Sequence, residues 1–422
     1  MKFKSKKLTA KDEAKITKDI EEAFSISKEP EKSDEPKSKA NLIFLITGIV
    51  AFLGGAGCLA FALLSPEKIL DDLTFPTLPS TTAKTDKVYS DLTGEELADA
   101  SLKNSPVYCI QTPNGLDGAR PQTGLTEAGV VFEAIAEGGI TRFAAIYQNP
   151  ENAIIGPIRS LRIYFLDWDV PFGCTVVHAG GSIEAVNAVQ QYGNYMSENY
   201  AYMYRGEYSY HLWNNLFTTP GLLAQNSADY GRASASIKGF TRLDTETANR
   251  NRIDSQTTKL NITSATTADT SALTPQVSTI NLSFGSGANF SPVYTYNPST
   301  NTYDRSYAYG GIHEVYKCPA EDLTGRDPQD YCSITQASPS VVIAMLVNER
   351  LSSDGVHEAI TTIGSGTAYV FQNGQAIQGT WSKASREEQI HFYDAAGNEI
   401  ALVPGQTWIS AIPTTYGGYV SY

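Results

Sequence analysis

Residues 119–184 read ARPQTGLTEAGVVFEAIAEGGITRFAAIYQNPENAIIGPIRSLRIYFLDWDVPFGCTVVHAGGSIE, and the fold is decided here. Val131, Glu133, Ile135 and Glu137 alternate with their neighbours, as do Ile140, Arg142 and Ala144, which is the period of a half-buried strand. Gly138-Gly139 lies between the two runs and suits the positive φ angles of a primed two-residue turn, so a β-hairpin is expected. In that register Arg142 stands opposite Ile135 and diagonal to Glu133 and Glu137, all on one face. Phe132, Ala134, Ala136, Phe143 and Ala145 make the other face, the expected core side. An acid–base–acid cluster on a hairpin is more than packing requires.

The rest of the stretch mixes helices with strands. Pro157 suits the first turn of a helix running through Ile163 and Phe165, which would set Arg159 and Arg162 on one face. Cys174 to Val177 reads as a short buried strand and His178-Ala-Gly-Gly as its exit loop. Ser182 caps a helix through Val189, and Thr219-Pro220 is a second cap and first-turn pair. The fold class expected for this part is α+β or α/β.

Four motifs in this region, in order, carry a resemblance: Ala119-Arg-Pro-Gln-Thr-Gly-Leu, Glu137-Gly-Gly-Ile-Thr-Arg-Phe, Ile155-Gly-Pro-Ile-Arg-Ser and His178-Ala-Gly-Gly-Ser. They resemble the YerB-like bacterial lipoproteins, a two-part family found outside the cytoplasmic membrane. The resemblance covers residues 105–240 and 285–415. It implies a place and an architecture and supplies no catalytic residues. It also implies a histidine–asparagine element near His211, with Asn214 or Asn215. In the second part, Arg305 and His313-Glu314 resemble a family arginine and histidine–acid pair, with glutamate where aspartate is expected.

Outward from the motif block, the chain divides by composition. Residues 1–40 hold eleven Lys, no Arg and nine acids, too polar to offset the entropy of ordering, and read as a disordered tail. Leu42 to Leu64 is uncharged and as long as a membrane-spanning helix must be. Lys37 and Lys39 precede it, while Asp71 and Asp72 follow. The positive-inside rule therefore puts residues 1–40 in the cytoplasm and residues 65–422 outside, a single-pass arrangement. A competing reading is a lipid on Cys58; against it stand Gly55 three residues earlier, where leucine is usual, and the long polar region before the apolar run. Residues 65–104 form a Pro/Thr/Ser linker, residues 105–240 a first domain, residues 241–284 a Thr/Ser-rich linker or loop, and residues 285–415 a mostly β second domain. In that domain hairpins are expected over residues 293–303, 369–377 and 391–400, a buried strand at Val341 to Val347, and a last strand at Gly405-Gln-Thr-Trp-Ile.

The formal charge of −13 argues against a general nucleic-acid binder. Outside Cys58 there are four cysteines. Cys318 and Cys332 bracket a polar loop that no core would order, so they are expected to be bonded. Cys109 and Cys174 pair only by elimination. Neither a C-x-x-C nor an H-E-x-x-H motif occurs, so no metal is expected, and no cofactor motif appears.

The candidate chemistry lies in the motif block. A strand, a glycine turn and a capped helix form the kind of place where an anion binds backbone N–H groups. Gly180, Gly181 and Ser182 are the candidates there, with His178 as the best candidate for an acid or base. Arg120, Arg142, Arg159 and Arg162, with Ser160, could clamp a phosphate or carboxylate. The structural alternative pairs Arg142 with Glu133 and Glu137, and Arg159 or Arg162 with Asp167 or Asp169. His211 with Asn214 or Asn215 is expected to form a second wall, and Arg205 before it is a further binding candidate. The leading expectation is a non-enzymatic envelope protein, anchored to the membrane by one helix, that binds an anionic wall component or a wall-synthesis protein. The alternative is a transferase or hydrolase acting on phosphate-bearing envelope polymers.

Overall fold

A computed structural model describes residues 87–151, 153–206, 214–232, 237–250 and 277–422. The expected tail, the apolar run Leu42 to Leu64, Cys58 and His211 lie outside the described residues. Among the described residues no helix is long and apolar enough to cross a membrane.

The first segment supplies β1 (Val107–Pro113), β2 (Val130–Glu137), β3 (Ile140–Gln148), α1 (Ile163–Asp169), β4 (Thr175–Val177), α2 (Ile183–Tyr192), β5 (Tyr195–Met196) and α3 (Pro220–Asp229). The second is largely β. The strands that bear on the site are β6 (Thr279–Ser283), β7 (Pro292–Asn297), β8 (Thr302–Tyr307), β9 (Val341–Val347), β10 (Glu349–Leu351), β11 (Glu358–Ile360), β12 (Gly364–Gln372), β13 (Gln375–Lys383), β14 (His391–Asp394), β15 (Thr407–Pro413) and β16 (Tyr419–Ser421), beside two short ones at Glu314–Lys317 and Ser333–Gln336. The strand ending at Pro413 is thus not the last, since β16 follows it and pairs with β6.

Ten strands make one sheet in the order β14-β13-β12-β9-β15-β2-β3-β1-β4-β5, and a second sheet runs β8-β7-β6-β16. The two sequence segments meet inside the large sheet, where β15 lies parallel to both β2 and β9. Residues 105–240 and 285–415 therefore do not keep separate cores: both belong to the compact unit Thr85–Tyr422.

The hairpin forms as its pattern requires, with Gly138 at φ 57° and Gly139 at φ 78° making a turn that a residue with a Cβ would strain. Its register differs from the expected one. Ala134, not Ile135, stands opposite Arg142, because a bulge lies between Ile135 and Glu137. Both faces are buried, not one. Phe132 and Ala134 pack with Tyr164, Phe165 and Trp168 of α1, and the Phe132 and Trp168 rings stack at 5.2 Å. Val131, Ile135 and Phe143 pack against Ile280, Tyr294 and Tyr303 of the second sheet.

Pro157 does not open a helix. Residues 158–161 run extended, spending their N–H groups on neighbouring segments: Arg159 on Gln111 O (2.7 Å) and Leu161 on Gly180 O (3.0 Å). Tertiary pairing overrides the local cap signal, and α1 starts at Ile163, so Arg159 and Arg162 share no helical face. The caps expected at Ser182 and Thr219 form, accepting from Ala185 N and Leu222 N. Cys318–Cys332 and Cys109–Cys174 are both disulfides.

Candidate functional site

β1, β2, β4, β9 and β15 run in one direction and β3 runs against them. Their carboxyl ends therefore share one end of the sheet with the start of β3, the place where ligands bind in α/β folds. The bulge in β2 turns Glu137 toward the α1 side here. Its carboxylate accepts from Arg142 Nη2 at 2.9 Å and from Arg162 Nη2 at 2.5 Å. Burial alone would push the Glu137 carboxyl up, but the two guanidinium groups outweigh it and hold it below the ordinary value. Arg142 is pushed down to about 10 by burial, with Arg162 and Arg159 adding repulsion and Glu137 opposing both. Two arginines thus share one carboxylate, and a third, Arg159, lies close enough to repel Arg142.

The extended segment 158–161 is laid between β1 and the loop after β4. Arg159 donates its N–H to Gln111 O and accepts from Ala179 N, and Arg142 Nη1 reaches Ser160 O at 2.8 Å. Leu161 bridges to Gly181, where a Cβ would come within 2.8 Å of Leu161 O, so only glycine fits. Ser160, Gly180, Gly181 and Ser182 are thereby brought beside the arginines. Among the described residues the Arg159 guanidinium has no hydrogen-bond or ion-pair partner, its Nε is buried, and the side chain as a whole is half-exposed.

His178 is 1% exposed. Its Nδ1 lies 2.8 Å from Gly180 O, which fixes the proton on that nitrogen and leaves Nε2 a bare acceptor. Nε2 is buried without a partner, and burial lowers the pKa of the ring.

Arg120 and Glu133 are not part of this cluster. Glu133 faces the second sheet and binds Arg305 Nη2 through both oxygens, at 3.1 and 2.9 Å, and Thr141 Oγ1 at 2.9 Å. Arg305 is fully buried, also donates to Tyr294 OH and His313 Nδ1, and lies 4.7 Å over the Trp408 ring. His313 must be neutral to accept from Arg305, and its Nε2–H is given to Gln122 Oε1 at 2.9 Å. Burial, then Arg305 and Arg120, keep its pKa well below the ordinary value. Glu314 is exposed and takes no part in this network. Arg120 donates to Asn114 Oδ1 at 2.8 Å and sits 4.0 Å over the Tyr307 ring. This is a buried seam joining the two segments, with most of its polar groups satisfied.

Asn214 donates to Asp117 O at 3.0 Å and, with Arg120, lines a separate cavity of about 210 Å³. Arg205 stands apart, held by Glu198 (2.6 Å) and Asn215 (2.8 Å). The alternative pairing of Arg159 or Arg162 with Asp167 or Asp169 does not occur. Asp167 binds Arg386 at 2.6 Å and Thr362 at 2.5 Å, and Asp169 accepts from Gln111 at 2.8 Å, because α1 starts too late to turn them toward the arginines.

Two residues escaped the sequence reading. Glu349 is 1% exposed with neither carboxylate oxygen partnered, and Glu358 lies near it, accepting from Tyr416 OH at 3.1 Å. Burial, reinforced by the Glu358 charge, raises the Glu349 carboxyl to about 8. Tyr164 feels the charges of both groups, those of Arg142, Arg162 and Glu137 and that of Glu349. The available signal was its position directly after the buried run Val341 to Val347, at a strand's carboxyl end.

Family models match the chain in two parts. The model described as the N-terminal domain of a protein of unknown function (DUF3048) covers residues 92–234, and the corresponding C-terminal domain covers residues 280–409. The YerB protein of Bacillus subtilis (strain 168), named as a lipoprotein, is 28% identical over 328 residues, which is 78% of this chain and 87% of that one. The crystal structure of YerB from Bacillus subtilis superposes with a TM-score of 0.60 and 22% identity, covering 80% of this chain and 100% of that one. At that identity the superposition speaks for the fold. With both halves of the family matched in order across most of the described residues, the chain belongs to the YerB-like two-part family.

Proposed function

We propose that the protein is a membrane-anchored extracytoplasmic envelope protein that binds an anionic envelope component at the carboxyl end of the large sheet. The observation that carries this reading is Arg159, a guanidinium without a partner among the described residues, in a cluster of three arginines and one carboxylate. Arg142 and Arg162 are oriented by Glu137 and Ser160, so the positive field is built before any ligand arrives. The extracytoplasmic placement draws support from the two disulfides, which persist in oxidising compartments, and from the lipoprotein name of the relative. The anchor is the run Leu42 to Leu64 retained as a helix. A mass measurement on protein extracted from membranes checks it: residues 1–40 still attached support the helix, and a chain starting at a lipid-bearing Cys58 sinks it.

A second reading, acid–base chemistry on a phosphate-bearing polymer, draws on His178, whose pinned tautomer offers Nε2 as a base. The test of the leading reading is thermal unfolding of the full chain with glycerol phosphate. Ligand at a hundredfold over its Kd raises stability by about 2.7 kcal/mol. Arg159→Ala is expected to abolish that gain and to leave the unliganded midpoint unchanged or slightly raised, since among the described residues Arg159 makes no hydrogen bond or ion pair and repels Arg142. An equal gain in the variant, or none in the parent chain, overturns the anion site.

A further inference from the structure

We infer that the anion taken at this end of the sheet is the headgroup of an aliphatic chain, that is, an anionic lipid. The inference rests on the anion-binding reading of the Arg159 cluster and extends it to the class of ligand. Of the eight large aliphatic side chains that are exposed among the described residues, six lie at this one end: Leu116, Ile140, Ile183, Leu351, Val356 and Ile363. Their positions follow from the topology. Leu116 follows β1, Ile140 opens β3, and Ile183 opens α2 beyond the β4 exit loop. Leu351 and Val356 belong to the β10–β11 hairpin inserted after β9, and Ile363 precedes β12, which runs against β9.

Ile140, Val356 and Ile183 adjoin the charged cluster. His357 in the β10–β11 hairpin bridges to Glu137, which brings Val356 to the hairpin tip that carries Ile140. A Cβ built on Gly115 would lie 3.9 Å from Ile140 Cγ2, so the loop that carries Leu116 passes beside Ile140. Ile183 is 83% exposed and directly follows the Gly180-Gly181-Ser182 turn that is bonded to the Arg159 segment. Single exposed aliphatics need no explanation, but gathering most of them at the one end of the sheet that carries a cationic centre does.

The charge at the centre selects the occupant. Glu137 is matched by Arg142 and Arg162, and Asp354 is hydrogen-bonded to His357 Nδ1 at 2.7 Å, while among the described residues Arg159 is left over. An apolar protein partner would gain from the rim and would leave the guanidinium buried without a counter-charge, which is costly. A free phosphate would satisfy Arg159 and leave the rim wet. A phosphate or carboxylate ester with an alkyl chain satisfies both at once.

Three water-soluble probes separate these cases: methyl phosphate, hexyl phosphate and hexanol, each titrated into the purified full chain at fixed detergent concentration. The signals are binding heat and the chemical shift of the phosphate phosphorus. Hexyl phosphate is expected to bind at least about tenfold more tightly than methyl phosphate, since each methylene removed from water adds to affinity. The double variant Ile183→Ser, Leu116→Ser is expected to erase that tenfold gain and to keep the methyl phosphate affinity. Arg159→Ala loses both phosphates and serves as the blank for partition into detergent. Equal affinities for the two phosphates overturn the lipid inference and leave the anion site standing. Hexanol binding as tightly as hexyl phosphate also overturns it. Failure of both phosphates to bind removes the anion site itself.

Discussion

Glu133 and Glu137 stand four residues apart on β2, where strict alternation puts them on one face. The bulge before Glu137 separates them, sending Glu133 to Arg305 and Glu137 to Arg142 and Arg162. Single residues thus decide which charge is structural and which is available. Glu349 is the sharpest case, because both oxygens are buried against another carboxylate and meet no donor. Its neighbours are Glu358 of β11, Tyr416 after β15 and Tyr164 of α1, and none of them brings a positive charge to its carboxylate. The folded chain keeps the Glu349 proton up to pH about 8, whereas the ordinary value is 4.5. Between those values the native state holds a proton that the unfolded chain has released, so stability falls as pH rises through the window. The slope is at most about 1.4 kcal/mol per pH unit, and it levels off above the upper value. Glu349→Gln imitates the protonated form and is expected to remove this slope, leaving the variant more stable than the parent at pH 8. Urea unfolding of both proteins at pH 5, 6.5 and 8 reads the difference. An unchanged slope in the variant would show that another group titrates there.

Elements were legible where their signal was local. The Gly138-Gly139 turn, the Ser182 and Thr219 caps, and the run Val341 to Val347 all form as expected, since each depends on a few adjacent residues. Two kinds of element misled. Pro157 carries a good helix-opening signal, but residues 158–161 gain more from filling the gap between β1 and the β4 exit loop. The hairpin's alternating polar residues imitate a solvent face, because nothing near Glu133 in sequence announces Arg305, 172 residues away. The polar side of that hairpin is buried only because its counter-charge comes from the other segment. The same reasoning explains the candidate site. Arg159, Arg162, His178 and the glycine turn could be grouped from one motif block, and they do lie together. Arg120 was grouped with them by proximity in sequence, yet it lies on the opposite face of the sheet, within the buried seam.

For the whole molecule, the composition break between residues 240 and 284 marks two segments of chain that build one sheet. β15 enters between β2 and β9, so it closes an edge of the first segment that would otherwise be open. The Arg305–Glu133 pair ties the same seam from the second sheet, and either partner alone would leave a buried charge unmatched, at a cost of about 3–5 kcal/mol. Both hydrophobic clusters also draw residues from both segments: Phe132 and Ile409 in one, Phe143 and Trp408 in the other. Each half therefore lacks a complete core, and a chain divided anywhere in residues 251–276 is expected to behave accordingly. Either half expressed alone should lack a cooperative unfolding transition and should aggregate through the exposed edge of β2 or β15. The two halves expressed together should co-purify and unfold as one unit, since folding replaces only the cost of bringing the ends together, which grows slowly with loop length. Calorimetry on the halves and on the reassembled pair decides the matter. A sharp transition from either half by itself would mean that the two parts are autonomous domains that merely share an edge.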